Sequence, residues 1–191
     1  MPNARTLTIR PISPDDRQLF VEAFERLSDR SRYRRFLSPR GSLSTGEVRY
    51  FTEVDHHDHE AFFAVDPESG AGVGVARYIR SESDPCVAEL AVAVVDDWQG
   101  QGVGGRLTAA LADRARAEGI TGFRAFILID NKPALNLLAD LGRVRVAHRD
   151  LNTVELTVDL PERGLGHLAR LLRVVARDDI TALGQEGTGR K

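Results

Sequence analysis

Glycines are concentrated in one segment, and their spacing suggests a chemical role for it. They lie in the run Gln99-Gly100-Gln101-Gly102-Val103-Gly104-Gly105, between a predicted strand and a predicted helix. In such a turn, successive backbone N–H groups point inward, and the start of the helix adds the positive end of its dipole. Because glycine leaves the backbone uncovered, a ligand can approach it closely. The segment therefore predicts a binding site for a phosphate or pyrophosphate.

A carboxylate precedes this segment in a strand that is otherwise apolar. Glu89 would lie on the same face of a regular strand as Ala91 and Ala93. These small neighbours leave room for a substrate, and partial burial would make the carboxylate a stronger base. We therefore interpret Glu89 as a candidate general base. The alternative is an exposed glutamate at a strand edge with no catalytic role.

The composition is that of an ordinary globular protein of one domain, or of one domain and a tail. The chain has 191 residues, of which 42% are hydrophobic and 28% are charged. A net charge of −2 gives no reason to expect a nucleic acid or a membrane surface as partner. The local cluster Arg30, Arg32, Arg34 and Arg35 is expected to be a solvated face.

Cysteine usage and the absence of long apolar segments bear on localisation. Cys86 is the only cysteine, so an internal disulfide is excluded and a reducing compartment is favoured. The first residues do not resemble a signal peptide, and no apolar run reaches the length of a membrane span. We expect a cytoplasmic protein that does not enter a membrane.

The hydrophobic pattern predicts an α/β (α+β) fold. Three strands joined by turns alone form an antiparallel meander, and the glycine segment and a helix then connect the third of them to the next strand. A final hairpin closes the sheet. The predicted strands are 7–11, 61–65, 72–79, 87–95, 123–129, 144–147 and 154–158, and the predicted helices are 14–27, 32–37, 45–52, 107–117 and 133–141.

The pattern divides the chain into a domain and a C-terminal extension. The domain is predicted over residues 1–160, a helical extension over 161–183 and a disordered tail over 184–191. The extension carries leucines at helical spacing. These leucines could pack on the same domain or on a second copy of the chain, so a homodimer is one possibility.

The glycine segment allows two other interpretations. Gly100, Gly102 and Gly105 fit the G-x-G-x-x-G pattern of dinucleotide-binding units, and Asp130 follows the next strand as such a unit would require. However, a meander before the segment, and one helix and a hairpin after it, leave no room for a doubly wound sheet. The third interpretation is a turn with a purely structural role.

Further motifs connect the segment with a known family. Gln99-x-x-Gly102-x-Gly104 resembles the Q/R-x-x-G-x-G/A signature of the GNAT N-acetyltransferases. Asn131-Lys132-Pro133-Ala134-x-x-Leu137…Leu141-Gly142 is similar to the family's N-x-x-A-x-x-L…L-G segment, and Ile9-Arg10-Pro11-Ile12 is similar to its opening. The resemblance covers about residues 6–160. It implies the GNAT fold, a central, mixed, mostly antiparallel sheet of six to seven strands that is flanked by helices and splayed at the acetyl-CoA site.

The resemblance also implies how acetyl-CoA binds as co-substrate. The pyrophosphate is expected on the backbone N–H groups of the glycine segment, and the pantetheine arm beside the preceding strand. Asn131, which is also expected to cap a helix, would hydrogen-bond the arm from the far side. The residues expected at this site are Val92, Ala93, Val94, Gln99, Gly100, Gln101, Gly102, Val103, Gly104, Gly105 and Asn131.

Three segments resemble the catalytic domain of bacterial Pat-type protein lysine acetyltransferases. They are Ser31-Arg32-Tyr33…Arg35-Phe36…Ser38-Pro39, Asp55-His56-x-Asp58-His59 and Ala88-Glu89-Leu90-Ala91. In that group the glutamate of the A-E-x-A segment is the general base, which implies the same role for Glu89. The implied reaction is direct attack of a primary amine, a protein lysine, on acetyl-CoA. The alternatives are a small-molecule amine such as a polyamine, amino acid or aminoglycoside, and a non-catalytic acyl-CoA- or nucleotide-binding module.

The resemblance fails at the family's usual general acid. Leu138 stands where the family carries a tyrosine, and Tyr33 and Tyr78 are candidate substitutes.

Three nearby histidines raise the question of a metal. His56, His57 and His59, with two aspartates among them, could ligate zinc. Because no second cluster completes such a site, we expect no metal and assign the histidines to structural hydrogen bonds or to a substrate loop.

Overall fold

The sheet has seven strands in the order β1-β2-β3-β4-β5-β7-β6. A computed structural model describes residues 6–161. The strands are β1 (Thr8–Pro11), β2 (His59–Val65), β3 (Gly72–Arg80), β4 (Val87–Val94), β5 (Gly122–Leu128), β6 (Arg143–Arg149) and β7 (Thr153–Asp159). The helices are α1 (Arg17–Glu25), α2 (Asp29–Phe36), α3 (Thr45–Thr52), α4 (Val103–Ala117) and α5 (Lys132–Leu141), with 3₁₀ turns at Pro14–Asp16 and Asp96–Trp98. The predicted tail and all but the first residue of the predicted extension lie outside the described residues.

The strand directions identify the architecture. The β2-β3-β4 meander is antiparallel as predicted, while β4 and β5 are parallel and are connected through α4. Every other neighbouring pair of described strands is antiparallel. The sheet is therefore mixed and mostly antiparallel, and the dinucleotide-binding alternative is wrong because it requires a mostly parallel, doubly wound sheet.

Helices cover both faces of the sheet. On one face α4 buries Leu107, Leu111 and Ala115, and it packs against β2 and β3. A methyl group at Gly74 would lie 3.1 Å from Leu107 Cδ1, so the missing side chain allows this close packing. On the other face α1, α2 and α3 meet through aromatic rings, with Phe36 6.0 Å from Phe24 and 6.2 Å from Phe51 between centroids. No helix within residues 6–161 has the length and apolar character needed to cross a membrane.

Two helix starts differ from the predictions, and capping explains both. The predicted turn at 32–37 belongs to a longer helix that begins at Asp29, because the Ser28 side chain accepts a hydrogen bond from the Ser31 N–H at 3.2 Å. The helix predicted from Leu107 begins at Val103, so that two glycines lie in its first turn. Their low helix propensity favoured a loop in the sequence, but the left-handed Gly102 at the N-cap starts the helix earlier.

Asp16 ties the first strand to the first helical segment. Its buried carboxylate accepts two hydrogen bonds from the Arg10 guanidinium, at 2.7 and 2.5 Å, and one from the Ser13 N–H at 2.8 Å. Chiefly because of the hydrogen bonds from Arg10, the pKa of Asp16 lies below its ordinary value. The ionised carboxylate therefore contributes to stability.

We expect Asp16→Asn to lower the free energy of unfolding by about 2 kcal/mol at pH 7, because charged hydrogen bonds are lost at a buried site. Arg10 is 40% exposed, so water can solvate it in the variant. Since the folded-state pKa is lowered, the stabilisation is present above the unfolded-state pKa of about 4 and is lost as the pH falls through the folded-state pKa. Urea unfolding between pH 7 and pH 3 measures the difference. Asp15→Asn, at an exposed position, is the control, and equal stabilities of the two variants at pH 7 would contradict the prediction.

Candidate active site

Strands β4 and β5 part after three residue pairs. They pair at Val87–Gly122, Ala88–Phe123 and Glu89–Arg124, and no further. Beyond this point β5 remains paired with β7 along its full length, and β4 remains paired with β3. The two strands therefore enclose a gap, and Glu89 lies at its closed end.

Backbone groups of β4 face this gap. Val95 N–H donates to Val73 O at 2.9 Å, so the backbone polar groups of Val95 point toward β3. Since alternate residues of a strand point to opposite edges, those of Ala93 also face β3, while those of Val92 and Val94 face the gap. The Val94 carbonyl accepts a hydrogen bond from Gln99 Nε2 at 2.9 Å.

An open cavity of about 250 Å³ occupies the gap. Residues of α2 line it on one face of the sheet and residues of α5 on the other, with β4 and β5 as its sides. The lining residues are Arg34, Arg35, Phe36, Leu37, Glu89, Leu90, Ala91, Val92, Ala125, Phe126, Ile127, Asn131, Ala134, Leu137 and Leu138.

Glu89 lies in the cavity as an accessible carboxylate. The β3–β4 register is regular around it, so Glu89 shares a face with Ala91 and Ala93 as predicted. The expectation of partial burial is wrong, because the side chain is exposed although it lines the cavity. Its accessibility suits a group that must contact an incoming substrate.

The glycine segment presents bare backbone at the start of α4. Gly100 and Gly102 have φ of 73° and 79°, in the left-handed region that favours glycine. Gly102 is the N-cap residue and no side chain caps the helix, so the first N–H groups of α4 have no side-chain partner. A methyl group at Gly105 would meet no protein atom within 4 Å. This end of the helix can receive an anion.

Hydrogen bonds join α2 to the loop between β4 and α4. The Asp96 carboxylate accepts from the Ser28 N–H at 2.9 Å, from Ser28 Oγ at 2.7 Å and from Ser31 Oγ at 3.0 Å. Gln99 Nε2 also donates to Ser31 Oγ, at 3.1 Å. Although burial acts to raise the pKa of Asp96, the hydrogen bonds from Ser28 and Ser31 bring it below its ordinary value. No local pattern predicts this link, since its partners are 65 to 68 residues apart in the chain.

Asn131 caps α5 and also lines the cavity, so its position allows both roles expected of it. Its Oδ1 accepts a hydrogen bond from the Ala134 N–H at 3.4 Å, as a helix N-cap does, and the residue also lines the cavity. Leu138 is buried in the same wall, so the position matching the family's tyrosine presents no acid.

Neither substitute tyrosine lines the cavity. Tyr78 is buried, its hydroxyl donates to the His57 carbonyl at 3.0 Å, and burial raises its pKa to about 12. Tyr33 is exposed on α2, outside the cavity wall. The structure thus gives no support to either tyrosine as the general acid.

The three histidines have three different partners. His56 Nδ1 lies 2.8 Å from Glu60 Oε1, His57 Nδ1 lies 2.5 Å from Glu118 Oε2, and His59 Nε2 lies 3.0 Å from an Arg77 nitrogen. In the part of the chain that the structure describes, no three His, Cys, Asp or Glu side chains are grouped to hold a metal ion. The histidines act in structural hydrogen bonding.

Two arginines near the cavity were missed by the sequence analysis. Arg77 is buried on β3 and donates to the Phe51 carbonyl at 3.1 Å, and burial and the nearby Arg35 lower its pKa to about 9. Arg35 lines the cavity, and burial lowers its pKa to about 10 against the opposing effect of Glu89. The expectation of a solvated arginine face is wrong for Arg35, because α2 turns that residue toward the sheet.

Known proteins are similar to this chain in sequence and in fold. Residues 21–142 match the Acetyltransferase (GNAT) family. The acetyltransferase Pat of Mycolicibacterium smegmatis is 33% identical over 153 residues, covering 80% of this chain and 45% of the relative. The chain thus spans less than half the length of that relative. An acetyltransferase of Pseudomonas aeruginosa is 32% identical over 148 residues, covering 74% of this chain and 77% of the relative.

A solved structure supports the same conclusion. The GNAT domain of S. lividans Pat superposes with a TM-score of 0.73 at 32% identity, covering 80% of this chain and 89% of that domain. The residues that match the family, 21–142, include the parted strands, the glycine segment and α5. The chain belongs to the GNAT acetyltransferase family.

Proposed function

We propose that this protein transfers the acetyl group of acetyl-CoA to a primary amine, a protein lysine, with Glu89 as general base. The observation that carries the proposal is the placement of two groups along β4. An accessible carboxylate lies where β4 and β5 part, and an uncapped, glycine-rich helix start follows the other end of the same strand. The similarity to Pat acetyltransferases supports the protein acceptor.

The residues around the gap fit acetyl-CoA. Its pyrophosphate would bind the backbone N–H groups of residues 99–105, and its pantetheine arm would hydrogen-bond the backbone of Val92, whose polar groups face the gap. Gln99 already holds the Val94 carbonyl, so its side chain shapes the loop. Asn131 and the apolar wall of α5 would contact the arm from the opposite side. When bound, acetyl-CoA would supply an activated thioester as the acetyl donor.

The chemistry requires a base more than an acid. A lysine amine has a pKa of about 10.4, so only a small fraction is neutral at pH 7. Glu89, or a water that it holds, accepts the proton as the amine nitrogen attacks the acetyl carbonyl. The C–N bond forms and the C–S bond breaks, and the electron pair leaves with sulfur. Since a thiol has a pKa of about 8.5, the thiolate leaves without a dedicated acid, which is consistent with Leu138 in the wall.

We expect Glu89→Gln to lower kcat/KM for acetylation of a lysine peptide by about 10²- to 10⁴-fold, because the variant cannot accept the proton. Acetyl-CoA should bind with an unchanged Kd, since the site proposed for the coenzyme lies along other residues. Thiol release measures the rate and calorimetry measures binding.

The control for this prediction is Glu82→Gln, which removes the same charge from an exposed position in the turn before β4. Its kinetics should match the wild type. Wild-type rates in Glu89→Gln would exclude Glu89 as the base. Acetyl-CoA binding by the wild type without transfer to any amine in a panel of peptides, polyamines, amino acids and aminoglycosides would instead indicate a non-catalytic binding module.

We expect Gly105→Asp to weaken acetyl-CoA binding by about tenfold or more, equivalent to about 1.4 kcal/mol, because its carboxylate would repel the pyrophosphate. The melting temperature should stay unchanged within about 2 °C, since a side chain there meets no protein atom within 4 Å. Gly46→Asp, at a second open position in the first turn of a helix, is the matched control. If both variants bound acetyl-CoA as the wild type does, the pyrophosphate would not lie at this helix.

A further inference from the structure

The wall of the cavity that faces Glu89 carries two cations that no side chain of residues 6–161 hydrogen-bonds. Arg34 and Arg35 both line the cavity from the last turn of α2. Within residues 6–161, neither guanidinium has a hydrogen bond or an ion pair. Arg35 lies over the face of the Phe36 ring, with its guanidinium carbon 4.8 Å from the ring centroid, and Glu89 and Tyr50 attract its charge without bonding to it. Basic residues in the last turn of a helix interact favourably with the helix dipole. A side chain that pointed into solvent would make this interaction equally well.

Arg35 is the more confined of the two. It lines the cavity and also a second, smaller cavity of about 30 Å³ beneath α2, so it lies between the proposed site and the aromatic cluster. Its surroundings disfavour the charge, and burial lowers its pKa to about 10. A buried cation costs free energy unless an anion accompanies it. Glu89 offsets part of this cost, but the pKa of Arg35 remains below its ordinary value, so a further carboxylate in the cavity would stabilise the guanidinium.

The surrounding charges increase this preference for an anion. Arg77 lies behind Arg35, and its hydrogen-bond partners within residues 6–161 are neutral: the Phe51 carbonyl and His59, whose pKa burial lowers to about 4. Arg124 lies opposite Glu89 in the β4–β5 register and pairs with Glu155 at 3.6 Å. Among the residues that line the cavity, Glu89 is the one carboxylate. A polycation therefore meets more repulsion here than attraction.

Arg35 also lies away from the place proposed for the coenzyme phosphates. The start of α2 contacts the β4–α4 loop, since Ser28 and Ser31 bind Asp96 and Gln99. Arg35 follows Ser31 by one helical turn, and its electrostatic partner is Glu89. The positive charge is thus near the proposed base rather than near the glycine segment.

We propose that Arg35 binds a carboxylate of the acceptor, so that the protein acts on amines that carry an acidic group close to the reacting nitrogen. The inference rests on the proposed function and narrows its substrate class. Two sources supply this chemistry, an aspartate or glutamate beside a protein lysine, and the α-carboxylate of a free amino acid. Polyamines and aminoglycosides, which lack a carboxylate, are disfavoured.

Two matched pairs of acceptors test the proposal and distinguish its sources. Acetyl-Asp-Lys-amide and acetyl-Asn-Lys-amide differ by the charge of the neighbouring residue, and Nα-acetyl-lysine and its amide differ by the α-carboxylate. We expect the wild type to prefer the carboxylate member of at least one pair by about tenfold in kcat/KM. The pair that shows the preference identifies the source.

Substitutions in α2 distinguish recognition of the acceptor carboxylate from a general loss of activity. Arg35→Met should reduce the preference to less than about twofold, and Arg35→Lys should retain part of it, because an ammonium binds a carboxylate as a point charge. Arg30→Met removes a charge from an exposed position of the same helix and should leave the preference unchanged. Melting temperatures identify any variant that fails to fold.

Acceptor binding in the presence of coenzyme A is measured beside turnover, so that a result does not depend on chemistry. A preference that survives Arg35→Met, or equal losses for both members of each pair, would overturn the inference. Arg35-dependent binding of the carboxylate acceptors without acetyl transfer would overturn the proposed function and leave this inference standing. Acetyl transfer with no preference for a carboxylate would overturn this inference and leave the proposed function standing.

Discussion

The site depends on one constraint: the hydrogen bonding between β4 and β5 stops after three residue pairs. Where two strands part inside a sheet, the backbone groups on their other edges stay paired only if each strand keeps a partner there, and a buried group left unpaired costs about 1–3 kcal/mol. The backbone groups that face the gap border an open cavity instead. Here β3 pairs with β4 from Ala88 to Val94, and β7 pairs with all of β5. The final hairpin thus supports the opening, because β7, rather than β6, lies beside β5.

The gap has two chemically different ends, and α2 connects them. The closed end holds Glu89, and the strand leads from there to the glycine segment at the start of α4. Asp96 and Gln99 bind the first turn of α2, while its last turn carries Arg35 into the cavity. One short helix therefore contacts both the loop proposed for the coenzyme and the region proposed for the acceptor. The spacing between these two regions is fixed by a helix rather than by a flexible loop.

Electrostatics beneath α2 is unusual for a protein interior. Arg77 is buried among aromatic rings with its guanidinium carbon 4.5 Å from the centroid of Phe51, and no carboxylate bonds to it in the described chain. His59 can accept its hydrogen bond because the imidazole is neutral at pH 7, with a pKa lowered to about 4 by burial and by Arg77. The fold therefore maintains a positive charge beside the proposed base, where the proposed acceptor carboxylate would be stabilised.

The sequence by itself determined the meander, the helix after the glycine segment, the family and the position of Glu89 on one face with Ala91 and Ala93. These features depend on local periodicity, turn residues and short motifs, all of which act between near neighbours in the chain. Only the tertiary structure decided that Glu89 is exposed, that β7 rather than β6 joins β5, and that the tyrosines lie outside the cavity. It also decided that Arg35 faces the sheet, where a run of four arginines had suggested solvent. Strand pairing and helix orientation depend on contacts between residues distant in sequence, and such contacts leave no periodic signal along the chain.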